Sequence, residues 1–192
     1  MPRDYDIKKH SPAAYQRLPE YKRDDDWIRS FLHEAKVGHV ATAWGKQPFV
    51  MPTIFWFDEP RHSIVFHSNL AGRVRANIEH NSRVCLEASE MGELLPSNVA
   101  LEFSLQYCSV MVFGTVRVLE DAEEKRVALS GLLRKYFPTM TAGKEYRPIT
   151  DKELKRTSVY EIKIESWSGK ENWKDRADQS DEWPALGEEW FD

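Results

Sequence analysis

The spacing of apolar residues along this chain predicts six β-strands, because apolar runs of strand length alternate with turn residues. In the longest run, Val110, Val112 and Val116 share one face, and Gly114 indicates a bulge or a barrel bend. Links of hairpin length join most of the runs, and no βαβ rhythm is present. The pattern therefore predicts a mainly β protein with flanking helices, built as a small six-stranded antiparallel barrel. The strands are expected at 39–44, 49–57, 64–67, 83–89, 107–119 and 159–164.

Three helices are predicted where apolar residues recur at helical spacing beside capping residues. The first follows the acidic run 24–26 and spans about three turns. The second is short and basic, begins after Gly72 and runs to about Asn81. The third begins at Asp121, whose Asp-x-x-Glu spacing resembles a capping box, and ends before Pro138.

One domain, 24–170, is expected between two polar ends. Residues 1–23 are predicted to form an extended N-terminal arm. Residues 171–192 are predicted to form an extended C-terminal tail whose tryptophans dock on the body or on a partner chain. The connection 90–105 is long for a compact domain, and two interpretations stay open for it: a lid or partner contact, or a plain surface excursion.

Composition excludes several classes of protein. The net charge of -4 and the pI of about 5.9 argue against nucleic-acid binding and against an anionic membrane surface. No apolar run approaches the ~20 residues of a membrane span, and the charged N-terminus is not that of a secretory signal. Cys85 and Cys108 form no CxxC motif, so we expect two free thiols in a reducing cytoplasm.

Motif chemistry is mostly absent. No dinucleotide, Walker, hydrolase or zinc-protease motif occurs, and no nucleophile–base pair can be argued from spacing. The six histidines are scattered, so we predict no metal site.

The start of the second helix is the one candidate anion site. A helix start offers unpaired N–H groups and the positive end of the dipole, and Gly72 allows close approach of a ligand. Arg73 and Arg75 add two cations, so the site would suit a phosphate group. The alternative is a basic turn that faces solvent. His67 ends the preceding strand beside this site.

Six segments resemble a known family through their order and spacing. The chain carries G-H-V-A-T at 38–42, M-P-T-I-F at 51–55, F-H-S-N-L-A-G-R-V-R-A-N-I at 66–78, N-S-R-V-C-L-E at 81–87, Y-C-S-V-M-V-F-G-T-V-R-V-L-E-D at 107–121 and I-E-S-W-S-G-K at 164–170. This order resembles the pyridoxamine 5'-phosphate oxidase-like split-barrel flavoproteins. The nitroimidazole-reductase-like branch is the most similar, and the resemblance covers about 24–170.

The resemblance implies a split β-barrel of the FMN-binding type that forms a homodimer, with the flavin at the interface between the subunits. It implies a flavin-dependent oxidoreductase that acts on a small molecule, and we expect a nicotinamide electron donor. One strand would run along the ring, the next would reach the ribityl or phosphate group, and the helix start would hold the phosphate. The residues expected to contact the flavin are Met51, Pro52, Thr53, Ile54, Phe55, His67, Ser68, Arg73, Arg75, Ser109 and Trp167.

Three departures from the family pattern limit this expectation. Val74 replaces a phosphate-binding lysine, and Ser109 stands in place of a longer glutamine. The arginine and histidine that hold pyridoxal phosphate have no counterpart near the C-terminus, so a vitamin-pathway oxidase is not expected. Two other functions stay open: a flavin-binding storage or sensing protein without turnover, and a split barrel that uses haem or a deazaflavin.

Overall fold

The computed structural model describes residues 18–191. Of the predicted N-terminal arm, 1–17 therefore lies outside the described residues. The helices are α1 (Asp25–Glu34), α2 (Arg73–His80), α3 (Ala122–Tyr136) and α4 (Asp151–Leu154). The strands are β1 (Lys22–Arg23), β2 (Gly38–Trp44), β3 (Gln47–Thr53), β4 (Phe55–Asp58), β5 (Ser63–Asn69), β6 (Arg83–Leu95), β7 (Ser104–Leu119) and β8 (Thr157–Asn172).

All eight strands belong to one antiparallel sheet with the order β3-β2-β6-β7-β8-β5-β4, and β1 pairs with β8. Only Ile54 separates β3 from β4, the two ends of this order. The segment therefore bends at Ile54, pairs with β2 before the bend and pairs with β5 after it. The predicted strand 49–57 corresponds to this bent segment, and the prediction of an antiparallel β fold with flanking helices is confirmed. The predicted number of six strands is wrong, because this segment divides into β3 and β4 and because the short strand β1 was not predicted.

The core lies between the sheet and the helices α1 and α2. Its largest fully buried side chains include Tyr160, Phe55 and Phe66. A second cluster packs α3 against β5 and β8 through Leu132, Val65 and Val159. Local capping fixes where the helices begin, as the sequence predicted: Asp24 accepts a hydrogen bond from the Trp27 N–H, and Asp121 caps α3.

The prediction of a long loop at 90–105 is wrong. β6 continues to Leu95 and β7 begins at Ser104, so most of this segment forms a two-stranded arm. β2 pairs with β6 only over 85–87, and the arm therefore extends beyond the rest of that side of the sheet. The sequence conceals the arm because a register shift between Met91 and Leu94 interrupts the alternation of side chains.

The C-terminal tail docks along this arm mainly through main-chain groups. The Ser97 hydroxyl donates to the carbonyl oxygen of Asp178 at 2.7 Å, and the Asn98 side-chain amide donates to that of Ser180 at 2.8 Å. Trp183 and Trp190 remain exposed. In a single chain, therefore, these two tryptophans do not bury the tail against the body.

Gly114 lies at a bulge, as predicted. Phe113 pairs with Ser166 but Gly114 pairs with Ile164, which leaves one extra residue on β8. A Cβ atom at Gly114 would stand 2.1 Å from the main-chain oxygen of Lys163. Glycine is therefore required here by the close approach of two backbones.

Candidate functional site

Several of the predicted contact residues meet at the bend between β3 and β4. The pairing of Phe55 with Phe66 brings Ile54 beside His67, and both line one cavity. Pro52 and Ile54 are exposed, whereas the Phe55 side chain is fully buried in the core. The bend therefore presents an accessible edge at 52–54, and the ring of Phe55 cannot contact a ligand.

A tyrosine that the sequence suggested only as a core residue holds this bend. The Phe55 N–H donates to the Tyr136 hydroxyl oxygen at 3.0 Å, and that hydroxyl donates to the Lys36 carbonyl oxygen at 2.6 Å. Burial raises the pKa of Tyr136, so the hydroxyl stays protonated. Because the Phe55 N–H is already bonded, only those main-chain groups of 51–54 that do not bond β2 remain for a ligand. The one sequence signal was a tyrosine at an apolar helix position.

His67 and Ser68 lie at the end of β5 next to the bend. The Ser68 hydroxyl is 2.9 Å from that of Tyr160, which is fully buried. The Nδ1 atom of His67 is buried and has no hydrogen-bond partner among the described residues. Burial lowers the pKa of His67, so its imidazole is neutral at pH 7. This side chain therefore offers one donor and one acceptor.

The N-terminus of α2 follows directly and is open. Arg73, Val74 and Arg75 occupy the first turn, whose N–H groups have no partner within the helix, and no side chain of 18–191 caps them. Apart from Gly72 itself and its chain neighbours, no atom of the described residues lies within 4 Å of the place that a Cβ atom of Gly72 would take. Arg73 is exposed and forms no ion pair with any residue of 18–191. An anion can therefore reach both the N–H groups and this guanidinium.

Arg75 differs from Arg73 because its charge is already engaged. It forms ion pairs with Glu79 and Glu120, and it donates to the Ser158 hydroxyl at 3.2 Å. The hydrogen bond to Glu79 raises the pKa of Arg75. These contacts anchor α2 to β8, so a role of Arg75 in phosphate binding, which stays a prediction, would require it to leave them.

Ser109 and Trp167 do not join the other residues within one chain. Ser109 lies on β7, and β2 and β6 separate β7 from β3, so about 14 Å of sheet lies between Ser109 and the bend. The Trp167 indole donates to Asp25 at 2.9 Å, and its ring packs against Phe57 and His62, at the opposite end of β4 and β5. Sequence motifs could not show this, because distances across a sheet depend on strand order.

Lys135, which sequence reasoning also missed, lies beneath the bend. Its Nζ atom is 3.8 Å from the centre of the Phe55 ring and donates to the Leu32 carbonyl oxygen at 3.0 Å. Burial lowers the pKa of this ammonium group from 10.5 to about 8. Lys135 thus connects α3 with the C-terminal end of α1. Its ammonium group is partly desolvated there, which disfavours its charged form.

We expect Lys135 to make stability depend on pH. Between about pH 8 and 10.5 the unfolded chain retains a proton that folded Lys135 has released, so the free energy of unfolding should rise with pH. Lys135→Met should remove this rise, as urea unfolding of both proteins at about pH 8, 9 and 10 would show. Burial raises the pKa of both cysteines to about 11, which should lower the free energy of unfolding as pH rises. Because both proteins contain these cysteines, their effect cancels when the variant is compared with the wild type. If the difference in free energy of unfolding between the wild type and Lys135→Met stays the same from about pH 8 to 10, the prediction is contradicted.

The described residues lack two kinds of feature. Within 18–191, no group of three His, Cys, Asp or Glu side chains is arranged to hold a metal ion. None of the described helices is both long and apolar enough to cross a membrane.

Comparison with known proteins identifies relatives of this fold. Flavocytochrome Anf3 from Azotobacter vinelandii superposes with a TM-score of 0.78 and 25% identity, over 88% of this chain and 77% of that chain. The FAD and haem binding protein from Mycobacterium smegmatis superposes with a TM-score of 0.74 and 24% identity, over 83% of this chain and 76% of that chain. A putative 5-nitroimidazole antibiotic resistance protein from Bacteroides thetaiotaomicron superposes with a TM-score of 0.65 and 23% identity, over 84% of this chain and 95% of that chain. No curated protein sequence matches the chain.

The family comparison covers the whole predicted domain, 24–170. The model described as pyridoxamine 5'-phosphate oxidase matches residues 24–171. This match and the fold of the nitroimidazole resistance protein confirm the resemblance stated from the motifs. The chain therefore belongs to the pyridoxamine 5'-phosphate oxidase family.

Proposed function

We propose that this protein binds FMN at the bend between β3 and β4, with the phosphate on the N-terminus of α2. The observation that carries the proposal is the uncapped first turn of α2 with its exposed Arg73. Three residues separate this turn from β5, whose end carries His67 and Ser68 next to the bend at Ile54. The likeness to flavocytochrome Anf3, a protein named for its flavin, supports a flavin here.

The residues present fit a flavin phosphate, with one fewer cation than the family pattern. Val74, in place of a lysine, is buried in the core. Three N–H groups and the Arg73 guanidinium would therefore hold the phosphate, with Arg73 as a charge-assisted donor. The Thr53 and Ser68 hydroxyls and the free main-chain groups of 51–54 would contact the ring and ribityl chain.

FMN, when bound, would supply the electron-transfer chemistry, and the chain would supply position and electrostatics. The bend held by Tyr136 would orient the ring, and Arg73 would neutralise the phosphate. The neutral His67 would donate a hydrogen bond from one ring nitrogen and accept at the other. The proposed activity is oxidoreduction of a small molecule, with a nicotinamide as electron donor.

A homodimer would complete this site. The outward face of β3, β6 and the arm carries exposed apolar side chains, among them Val50, Met91 and Leu94. An exposed apolar face of this kind favours association, and a twofold axis places one face against itself. A second copy would then bring its own Ser109 towards the bend of the first, across a distance that one chain alone does not close.

Val50→Glu should therefore produce a monomer. Val50 is 56% exposed on the edge strand β3, so the change should not disturb folding but should place a charge in the proposed interface. The matched control is Val127→Glu, because Val127 is 44% exposed on α3, away from this face. Light scattering should give a dimer for the wild type and the control. A wild-type monomer, or a dimer that survives Val50→Glu, would contradict the prediction.

The visible spectrum of freshly purified protein tests the proposed function. Flavin absorbance that NADH or NADPH bleaches without oxygen supports the oxidoreductase, whereas flavin that resists both donors favours storage or sensing. Chromatography of the released flavin distinguishes FMN from FAD. Because Anf3 is named a flavocytochrome, haem is the second candidate, and a Soret band would identify it. A colourless protein that takes up no added flavin would contradict the proposal.

A further inference from the structure

A cavity of about 400 Å³ lies between α3, the segment 146–157 and the bend at Ile54. This volume lies within the range of small-molecule pockets. Apolar and aromatic side chains form most of its lining, including Leu129, Leu133, Phe137 and Ile149. The cavity is separate from the N-terminus of α2, but it shares Ile54 and His67 with the proposed flavin site.

The outer wall of this cavity is held in place by α3. Arg126 donates to the Ile149 carbonyl oxygen and forms an ion pair with Asp151. Lys125 donates to the carbonyl oxygens of Leu154 and Thr157, each at 3.3 Å. Both sides of the cavity are therefore fixed before any ligand enters.

The lining offers a ligand no free charge. Arg147 and Glu153 are partly exposed, and they bond to each other through two hydrogen bonds of 2.8 and 3.2 Å. The hydrogen bond from Arg147 lowers the pKa of Glu153 to about 2, so the pair stays charged and internally neutralised. A charged ligand would lose hydration here and find no unpaired counter-ion.

One polar group beside the cavity remains unmatched. The Nδ1 atom of His67 is buried and bonds no other group in the described part of the chain, whereas buried polar atoms are normally hydrogen-bonded. A small shift of this ring on ligand binding would let it donate or accept one hydrogen bond.

The geometry points to an uncharged, mainly apolar substrate of one or two rings, whose single polar group binds His67 in this cavity. This inference rests on the proposed function, because it assigns the substrate class of the same flavin site. It predicts that phosphorylated or carboxylated molecules bind this cavity poorly.

The test is calorimetric titration of the full-length protein, saturated with FMN, with 2-naphthol and with 2-naphthoate, which differ chiefly in charge. We expect 2-naphthol to bind at least about tenfold more tightly, since an unpaired carboxylate is costly to bury. Ile149→Trp should fill the cavity and weaken 2-naphthol binding at least about tenfold, with Ile149→Phe as a milder second variant. Val127→Trp, on the exposed side of α3, should leave binding unchanged.

The outcomes separate this inference from the proposed function. Equal or tighter binding of 2-naphthoate would overturn it, and so would 2-naphthol binding that neither Ile149 variant weakens. Loss of FMN absorbance in the Ile149 variants would also overturn it, because the cavity would then hold the flavin. If the wild type binds no FMN, the proposed function fails, and the same titrations of the flavin-free protein still test the cavity.

Discussion

Arg73→Ala should weaken FMN binding about 10- to 100-fold, the effect of losing a hydrogen-bonded charge pair. Arg73 is exposed at the first position of α2 and is not paired with any residue of 18–191, so its removal should not disturb the fold. The quenching of flavin fluorescence on titration with protein measures this affinity directly. Circular dichroism should show unchanged secondary structure in the variant.

Arg75→Ala is the matched control, two residues along the same helix. Since Arg75 bonds Glu79, Glu120 and Ser158, its loss should lower the free energy of unfolding but weaken FMN binding less than Arg73→Ala. Equal losses of affinity in the two variants, or none in either, would remove the phosphate assignment.

Gly114→Ala should lower the free energy of unfolding by about 3 kcal/mol or more, as overpacking of a closed site does. The new Cβ atom would stand 2.1 Å from the Lys163 oxygen, and a main-chain atom cannot rotate away as a side chain can. The two strands would have to separate at the centre of the sheet. Urea unfolding followed by tryptophan fluorescence measures the change.

Gly143→Ala serves as its control. Gly143 has a φ of 85°, and beyond its chain neighbours no other described residue has an atom within 4 Å of its Cβ position, so only backbone strain opposes the substitution. We expect this variant to lose about 1–2 kcal/mol. If Gly114→Ala costs no more than Gly143→Ala, the close approach at the bulge is not what requires glycine.

Local chemistry made several features of this fold predictable. Asp24 and Asp121 mark helix starts because a carboxylate there bonds free N–H groups, and this needs no knowledge of the rest of the chain. Gly114 within a strongly alternating strand indicated a bulge, and this signal is also local to the sequence. Gly72 and Arg73 likewise predicted where α2 begins.

Features that depend on long-range contacts were not predictable in this way. The arm was missed because its register shift hides the alternation of side chains. Tyr136 bonds the main chain of Phe55, 81 residues away, and nothing local to α3 indicates that contact. The separation of Ser109 from the bend follows from strand order, which the motifs do not contain.

Comparison of FMN with riboflavin, in the wild type and in Arg73→Ala, tests the central claim most directly, because the two ligands differ only by the phosphate. The account predicts that the wild type binds FMN about 100-fold more tightly than riboflavin, and that Arg73→Ala loses most of this preference. Riboflavin affinity itself should hardly change. Equal binding of the two flavins by the wild type, or a preference that survives the loss of Arg73, would contradict the claim.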